Sequence, residues 1–394
     1  MKNIQDPEIQ QIISSNLNAD PQALLLKLSK RKDLPVKEII EQITGRKKAK
    51  DKLPELAQNP AVIFPAGISM EQCSSEVTAK YKSELFSGNG FIDLTCGFGV
   101  DARYFSFSFK HLFLVEPNSE LIEIVKHNFE VLGIKNANFF NGTAQEFLEG
   151  FSQKVDLIYI DPSRRSKDNS KVFLLEDCVP DIINTLPRLF ELSNRIMIKT
   201  APMLDIDKAL NGLINIEKVI VLSLNNECKE VLYLANKSFT GEPLIETVNL
   251  SKAGTKQSFS FFKAKEKSLS VAYSDILGYL YDPNSSVSKA GAFKSVADHF
   301  KFNAISGNTH LYTSSEFSDD FPGKKYKVLA SFKYDKKEIQ KQVSDSKLII
   351  ILKNFPDTLE QVKKKLGIKE GGENYLFCFR NKDEKPVLVL ASLI

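Results

Sequence analysis

Seven short apolar segments between Phe91 and Lys237, most of them separated by stretches of helical length, constrain the fold more than any other feature of this sequence. The segments read FIDLTC, HLFLVE, NANFFNG, VDLIYID, NRIMIKT, KVIVLSL and EVLYLAN. Long connections return the chain to a parallel neighbour, and nearly continuous apolar strands suit a sheet that is covered on both faces. Only Asn225 to Glu230 separate the last two segments, which is too short for a parallel crossover. The pattern predicts a doubly wound α/β sheet of seven strands with an antiparallel last strand, whereas a dinucleotide-binding domain would normally end in a parallel one.

Three further regions surround this sheet domain, which we assign to residues 69–240. Residues 1–68 repeat apolar side chains at three- and four-residue spacing, and this predicts an N-terminal helical region. A further helix is predicted to open at Ser69 and to continue to Leu85. Beyond the sheet, strand and helix patterns alternate and the segment DDFPGKK marks a boundary. We therefore predict two small α+β units, at 241–320 and 321–394.

Composition narrows the class of protein. Of the 394 residues, 42% are hydrophobic and 26% are charged, which excludes a disordered or collagen-like chain. The five cysteines form no CxxC pair and the four histidines show no ligand spacing, so we expect reduced thiols and no metal site. No apolar stretch approaches the roughly 18 residues that span a bilayer. These features predict a cytoplasmic protein that does not contact a membrane.

Positive charge is concentrated towards the C-terminal end. The net charge of the chain is only +4, but the residues from Ile245 onwards include 24 basic and 17 acidic side chains, against 29 and 32 before that point. A second basic segment, Arg46 to Lys52, has five basic side chains in seven residues. It would either contact a nucleic acid or form the solvated end of a helix.

The segment DLTCGFGVD, which starts at Asp93, follows the first apolar segment and is the strongest local signal for a ligand site. Gly97 and Gly99 allow close approach of the backbone to a ligand, but the segment does not read GxGxxG. A carboxylate at Asp93 suits a ligand with an ammonium group better than one with a pyrophosphate. Glu116 ends the second segment, 19 residues beyond Gly97, where a carboxylate can accept hydrogen bonds from both hydroxyls of a ribose. Together these residues favour S-adenosyl-L-methionine as the cofactor.

The ends of the next two segments extend the predicted site. After the third segment, Thr143 is a polar candidate for a contact with the edge of the adenine. After the fourth, Asp161 is expected to accept a hydrogen bond or a proton from the methyl acceptor. Cys96 lies inside the glycine loop without a neighbouring histidine, so we interpret it as a packed thiol and not as a nucleophile.

Basic side chains follow Asp161 and end the fifth segment. Arg164 and Arg165 suit a phosphate or carboxylate on the substrate, although pairing with Asp168 or Glu176 is an alternative. Lys199, at the end of the fifth segment, either lines the acceptor pocket or packs at the strand end.

The segments DLTCGFGVDA, LVEPN and IYIDPSRR resemble the motifs of class I S-adenosylmethionine-dependent methyltransferases, and more narrowly those of a bacterial group with a ferredoxin-like and a THUMP-like C-terminal domain. Other segments that read like this group are GRKKAKDKLP, EQCSSEVTAKYKSEL, KTAPMLDI, KAGAFKSVADHF, NTHLYTS and LGIKEGGENYLFCF. The resemblance covers nearly the whole chain. It implies an N-terminal helical region, a Rossmann-like methyltransferase domain, a ferredoxin-like unit and a THUMP-like unit.

The resemblance also implies roles for individual residues. Those expected to bind the cofactor are Gln72, Thr78, Asp93, Thr95, Gly97, Gly99, Asp101, Glu116, Pro117, Thr143 and Ala144. The expected catalytic motif is Asp161, Pro162, Ser163 and Arg164, with Arg164, Arg165 and Lys199 binding the substrate. Nucleobase amino-methyltransferases usually have a second proline and then an aromatic residue in this motif, and here Ser163 and Arg164 take those places.

These observations predict a methyltransferase that modifies a nucleobase nitrogen in rRNA or tRNA by direct in-line transfer. Two alternatives stay open. The acceptor could be a protein or a small anion held by Arg164 and Arg165. The chain could also be an RNA-associated module that binds adenosylmethionine without turnover.

Overall fold

The computed structural model describes residues 4–164, 175, 178–342 and 347–394 of the chain. The chain divides into two compact units. The first consists of Met1–Glu217 and Leu232–Gly241, and the second of Lys218–Val231 and Glu242–Ile394.

Helices make up the N-terminal part of the first unit. They are α1 (Pro7–Ser15), α2 (Pro21–Leu28), α3 (Val36–Lys52), α4 (Pro54–Gln58), α5 (Ile68–Gln72) and α6 (Glu76–Ser83). The side chains of Asp6 and Asp20 cap α1 and α2, and a proline occupies the first position of each helix. The apolar faces of α1, α2 and α3 meet in one buried cluster of Ile9, Ile13, Leu24, Leu34, Ile39 and Ile43. The predicted N-terminal helical region is confirmed.

The sheet of the first unit is mostly parallel. Its strands are β1 (Gly88–Asp93), β2 (Phe109–Glu116), β3 (Ala137–Asn141), β4 (Leu157–Ile160), β7 (Arg195–Thr200) and the second half of β9 (Glu227–Asn236). A separate short ribbon pairs β5 (Ser163–Arg164) with β6 (Cys178–Val179). The helices are α7 (Val100–Phe105), α8 (Ser119–Val131), α9 (Ala144–Gly150), α10 (Ile182–Leu192) and α11 (Ile206–Gly212).

The strand order in this unit is β3-β2-β1-β4-β7-β9, and the four pairs from β3 to β7 are parallel. The chain runs outwards from β1 on one side and then returns to continue on the other, which is the doubly wound arrangement that the apolar segments predict. In such sheets the carboxyl ends of the strands form a crevice at the point where the order reverses.

In the second unit, β8 (Ile216–Leu224) is followed by β9 after only Asn225 and Asn226. Both asparagines have positive φ angles, of 50° and 63°, as a two-residue hairpin turn with the twist of its strands requires. A two-residue link cannot cross over to a parallel neighbour. The antiparallel last strand is therefore confirmed, with a link shorter than the sequence pattern indicates because β9 begins at Glu227. Two further strands, β10 (Leu244–Leu250) and β11 (Lys256–Phe261), extend this sheet beyond the predicted seven in the order β9-β8-β10-β11.

The rest of the second unit is a second sheet with the order β13-β14-β12-β15-β18-β17-β16. Its strands are β12 (Tyr279–Pro283), β13 (Asn303–Ala304), β14 (Tyr312–Ser314), β15 (Gly323–Lys333), β16 (Lys347–Lys353), β17 (Lys369–Arg380) and β18 (Pro386–Leu393). Its helices are α12 (Lys263–Ser268), α13 (Ser285–Ala290), α14 (Phe293–Phe300), α15 (Lys336–Gln342) and α16 (Leu359–Leu366). The boundaries at 68, 240 and 320 stay predictions.

Both faces of this second sheet are buried at the C-terminal half of its strand β17. Leu376 and Cys378 pack into one cluster with Val362 of α16. Phe377 and Phe379 pack into a different cluster, with residues of β12 and β18. These four side chains of β17 are fully buried, so the two phenylalanines belong to the core.

Candidate active site

A cavity of about 940 Å³ opens in the first unit at the carboxyl ends of β1, β2 and β4. The predicted site residues that line it are Gln72, Asp93, Thr95, Gly97, Gly99, Asp101, Glu116, Pro117, Thr143, Ala144, Asp161 and Ser163. Twelve residues that are spread over 92 positions of the sequence, from Gln72 to Ser163, are thus brought together at one end of one sheet.

The glycine loop after β1 requires its glycines. Gly97 and Gly99 have φ angles of +55° and +73°, a region that L-residues with a side chain rarely adopt. A Cβ atom at Gly99 would also lie 2.9 Å from Cγ1 of Val125. The N–H group of Gly97 donates a hydrogen bond of 2.9 Å to Oε2 of Glu116. The loop therefore links the end of β1 to the end of β2.

Asp93 ends β1 as a buried carboxyl group with little positive charge around it. The N–H and hydroxyl groups of Thr95 donate to Oδ1 of Asp93 over 2.9 and 3.4 Å. Burial raises the pKa of Asp93, the hydrogen bond from Thr95 opposes this, and the carboxylates of Asp101, Asp161 and Glu116 add to it, so that the pKa reaches about 8. A cation that entered the cavity would stabilise the ionised form.

Glu116 is held by main-chain donors. Asn118 N–H donates to Oε1 and Gly97 N–H donates to Oε2, each over 2.9 Å. Each carboxylate oxygen can accept more than one hydrogen bond. The carboxylate is thereby oriented and still able to accept from a ligand.

Asp101 is different, because protein groups engage its carboxylate. The fully buried Lys82 ammonium lies 2.9 Å from Oδ1, and the hydroxyls of Ser74 and Tyr159 donate to Oδ2 over 2.8 Å. Burial favours the protonated form, but Lys82, Lys199 and these hydrogen bonds outweigh it and lower the pKa of Asp101. The ion pair connects α6 to α7 beside the cavity. Lys82 has no local sequence signal that marks it as a partner of Asp101.

Asp161 follows β4 and is fixed at two points. Its N–H group donates to the hydroxyl of Thr95 over 2.7 Å, and its Oδ2 lies 2.5 Å from Nζ of Lys199. Thr95 therefore contacts both Asp93 and Asp161. Lys199 does not itself line the cavity, and it reaches the site through this ion pair.

The other predicted residues are placed as follows. Thr143 caps α9 in a reciprocal pair with Glu146, and it lines the cavity beside Ala144. Thr78 is buried, and its hydroxyl donates to the carbonyl of Ser75 and does not line the cavity. Pro162 does not line it either. Arg165 and the side chain of Arg164 lie outside the described residues, as do Asp168 and Glu176.

The helix expected from Ser69 to Leu85 is wrong as a single element. The chain forms α5 up to Gln72 and α6 from Glu76, and Ser75 caps the second helix by accepting from Thr78 N–H. The break matters because Gln72, Cys73 and Ser74 then line the cavity. A serine followed by helix-forming residues is an N-cap signal, so this break is readable from the sequence.

Several lining residues were not predicted. They are Cys73, Ser74, Tyr159, Gln145, Glu149, Asp181, Asn184, Thr185 and Arg188, among others. Asp181 caps α10 after a proline, which is a recognisable helix start. Sequence spacing alone does not show that α9 and α10 border the same cavity.

Cys96 is a buried thiol in the loop. Burial raises its pKa well above the ordinary value, and the neighbouring carboxylate of Asp93 adds to this effect. The thiol stays protonated at neutral pH, which agrees with a packing role.

The basic segment of α3 is partly structural. Arg46 is buried and donates to the carbonyls of Asn59, Pro60 and Val62. Lys48 pairs with Glu71, and Lys52 donates to the carbonyl of Glu71. These contacts favour the interpretation as a helix end that packs on its own protein.

Within residues 4–164, 175, 178–342 and 347–394, no group of three or more His, Cys, Asp or Glu side chains is arranged to hold a metal ion. In the same part of the chain, no helix combines the length and the apolar character needed to cross a bilayer.

Comparisons with known proteins agree with this architecture. A ferredoxin-like domain family matches residues 279–322, and a THUMP domain-like family matches residues 323–392. The crystal structure of a "putative methyltransferase" from Porphyromonas gingivalis W83 superposes with a TM-score of 0.87 at 29% identity. That match covers 98% of this chain and 97% of the other.

Two curated relatives match shorter parts of the chain. An "uncharacterized RNA methyltransferase" from Thermosynechococcus vestitus is 29% identical over 93 residues, which are 23% of this chain. This chain spans only about a fifth (21%) of that relative. A "probable cobalt-precorrin-6B C(15)-methyltransferase (decarboxylating)" from Sulfurisphaera tokodaii is 26% identical over 149 residues, covering 37% of this chain and 71% of the relative. In its fold the chain is similar to the Porphyromonas gingivalis protein over nearly its whole length, and its C-terminal end matches a ferredoxin-like and a THUMP domain-like family.

Proposed function

We propose that the protein transfers a methyl group from S-adenosyl-L-methionine to a nucleobase nitrogen of rRNA or tRNA. The observation that carries the cofactor assignment is the contrast among the carboxylates of the cavity. Asp101 and Asp161 are ion-paired with Lys82 and Lys199. No lysine or arginine among the described residues pairs with Asp93 or Glu116, which are held by N–H and hydroxyl groups.

This donor set fits the proposed cofactor. Asp93 would bind the cationic amino group of the methionyl end, and that charge would stabilise the ionised carboxylate. Glu116 would accept from both ribose hydroxyls. Thr143 and Ala144 would contact the adenine, and Gln72 would cover the ligand from the break between α5 and α6. When bound, S-adenosylmethionine supplies a methyl group that is activated by the adjacent sulfonium.

The acceptor would be held at the other end of the cavity. Asp161 lines the cavity together with Ser163, and its carboxylate can accept a hydrogen bond from an amino nitrogen. Methyl transfer is an in-line displacement, so orientation of the nitrogen contributes more than strong base catalysis. Arg164 and Arg165 follow in the sequence and would bind a phosphate of the substrate.

Three observations support RNA as the substrate. The residues from Ile245 onwards have a surplus of basic over acidic side chains, with 24 against 17. Residues 323–392 match the THUMP domain-like family, and one relative is named an RNA methyltransferase. Basic surfaces bind the phosphate backbone with an affinity that falls steeply with salt.

The test is isothermal titration with S-adenosylmethionine and separately with NAD, followed by methyl transfer from labelled S-adenosylmethionine to total RNA of a strain that lacks the protein. We expect the protein to bind S-adenosylmethionine but not NAD. We also expect labelled methyl groups in the RNA, which digestion with nuclease releases. If the label appears in protein or in small molecules, one of these is the methyl acceptor and RNA is not. Binding without any transfer would favour a module without turnover.

A further inference from the structure

Asp161 is held by contacts on both sides of β4, one through its main chain and one through its carboxylate. On the β1 side, Thr95 accepts from the Asp161 N–H group over 2.7 Å. On the β7 side, Nζ of Lys199 lies 2.5 Å from Oδ2 of Asp161. Both β1 and β7 pair directly with β4. Lys199 lies in β7, and Thr95 lies in the loop that follows β1.

The two partners of this ion pair differ in exposure. The Lys199 side chain is 9% exposed, whereas that of Asp161 is 35% exposed and lines the cavity. A buried ammonium needs a counterion, because its desolvation is otherwise uncompensated. Among the described residues none donates a hydrogen bond to Oδ1 of Asp161, and this oxygen can accept one from a ligand.

We infer that Lys199 is a positioning residue, which orients the Asp161 carboxylate so that Oδ1 accepts a hydrogen bond from the methyl acceptor. This inference rests on the proposed function. It replaces the sequence-based expectation that Lys199 binds the substrate directly. Lys199 acts through Asp161, and Asp161 contacts the acceptor.

The pair also defines the acceptor atom. An ionised carboxylate only accepts hydrogen bonds, so it selects a nitrogen that carries hydrogen over a ring nitrogen that does not. The lone pair of this nitrogen forms the new N–C bond while the C–S bond breaks and sulfur keeps the electron pair of that bond. The nitrogen then loses a proton, which Oδ1 of Asp161 accepts and passes to water.

Lys199 has a second electrostatic effect that the experiment must separate. Its charge also contributes to the lowered pKa of Asp101, whose closest cation is Lys82. Removal of Lys199 could therefore alter the Asp101 network as well as the Asp161 carboxylate. Cofactor affinity and urea unfolding report on the Asp101 network, and the rate of methyl transfer reports on the Asp161 carboxylate.

The experiment compares Lys199→Met, Lys199→Arg, Asp161→Asn and the double variant Asp161→Asn/Lys199→Met in the full chain. Lys110→Met, at an exposed lysine of β2, is the matched control. Each protein is titrated with S-adenosylmethionine, unfolded in urea, and assayed for methyl transfer to total RNA of a strain that lacks the protein.

We expect Lys199→Met to lower kcat about tenfold to a hundredfold, as for misplacement of a positioned group, with KM for RNA and affinity for S-adenosylmethionine within about threefold of the wild type. Lys199→Arg should recover most of the rate, because it keeps the charge. The double variant should be no slower than Asp161→Asn alone, since the effect of Lys199 on turnover acts through Asp161. The urea midpoints of the wild type, Lys199→Met, Asp161→Asn and the double variant measure the coupling of the pair independently of activity.

Three results would overturn the inference. A raised KM with unchanged kcat would return Lys199 to direct substrate binding. If the rate losses of the single variants multiply in the double variant, Lys199 acts independently of Asp161. If Lys199→Met has the kcat and KM of the wild type, Lys199 has no role in methyl transfer. If the wild type labels protein instead of RNA, the proposed substrate is wrong, and the same ratios measured on that protein acceptor still decide the role of Lys199. Absence of transfer to any acceptor would overturn both proposals.

Discussion

The carboxylates in two parts of the cavity differ in whether a basic side chain of the protein neutralises them. Asp101, beside α6, is held by the buried ammonium of Lys82 and by two hydroxyls. Asp93 and Glu116, at the ends of β1 and β2, are oriented by N–H and hydroxyl groups, and no described lysine or arginine pairs with them. The difference indicates that Asp101 stabilises the protein, whereas Asp93 and Glu116 keep negative charge available for a ligand.

The largest expected effect comes from breaking the internal pair. Lys82→Met leaves Asp101 buried without its closest cation, and loss of one partner of a buried pair costs about 3–5 kcal/mol. Urea unfolding should show this loss. Replacing both partners, as in Lys82→Met/Asp101→Leu, should recover part of the stability, and a double variant as unstable as the single one would contradict the explanation.

The ligand-facing carboxylates should behave differently. Asp93→Ala and Glu116→Ala each remove an acceptor of the cofactor, which costs about 1–3 kcal/mol of binding, or roughly fivefold to 150-fold in Kd. Isothermal titration with S-adenosylmethionine measures the loss, and Glu123→Ala on the exposed face of α8 is the control. If both substitutions left the affinity unchanged, the assignment of the pocket would be wrong.

A substitution in the glycine loop tests whether the loop positions Glu116. Gly99→Ala places a side chain at a φ angle of +73° and 2.9 Å from Val125, and the angle alone costs about 1–2 kcal/mol of stability. Gly133→Ala has the same φ angle with no atom within 4 Å of its Cβ, so it isolates the contribution of the backbone. We expect Gly99→Ala to be less stable than this control and to bind S-adenosylmethionine more weakly. Equal behaviour of the two variants would contradict the importance of the close contact.

The pH dependence of binding should be the smallest of these effects. Burial raises the pKa of Asp93 to about 8, so the protein without ligand holds a proton there at pH 7. A cation binds the ionised form, and affinity for S-adenosylmethionine should rise about tenfold from pH 7 to pH 9, with release of a proton on binding. Titration in buffers of different ionisation enthalpy measures this proton, and Asp93→Asn should abolish its release.

The same shift affects folding with the opposite sign. The folded protein binds more protons at Asp93 than the unfolded chain between its ordinary pKa and about 8. The contribution of Asp93 to the free energy of unfolding is therefore largest at acidic pH and decreases as the pH rises through this window.

Local patterns in the sequence were sufficient for the sheet and for 12 of the 29 residues that line the cavity. Apolar segments and a short last link predict a doubly wound sheet with an antiparallel end, because strand burial and crossover length are properties of contiguous residues. Gly97, Gly99, Asp93 and Glu116 are also readable, since each stands at a strand end or a sharp turn. The position of Asp161 after β4 follows from the same rule.

Tertiary structure alone decided which side chains meet. The pairs of Lys82 with Asp101 and of Lys199 with Asp161 join residues 19 and 38 positions apart in the chain, on different helices and strands. No periodicity or spacing encodes such pairs, because they depend on how helices pack against the sheet. The break between α5 and α6, which brings Gln72 to the cavity, is by contrast a local feature, because Ser75 is an N-cap that competes with continuation of the helix. The sequence by itself thus determined the frame and the carboxylates at its edge, and only packing decided which of those carboxylates are neutralised and which stay available to a ligand.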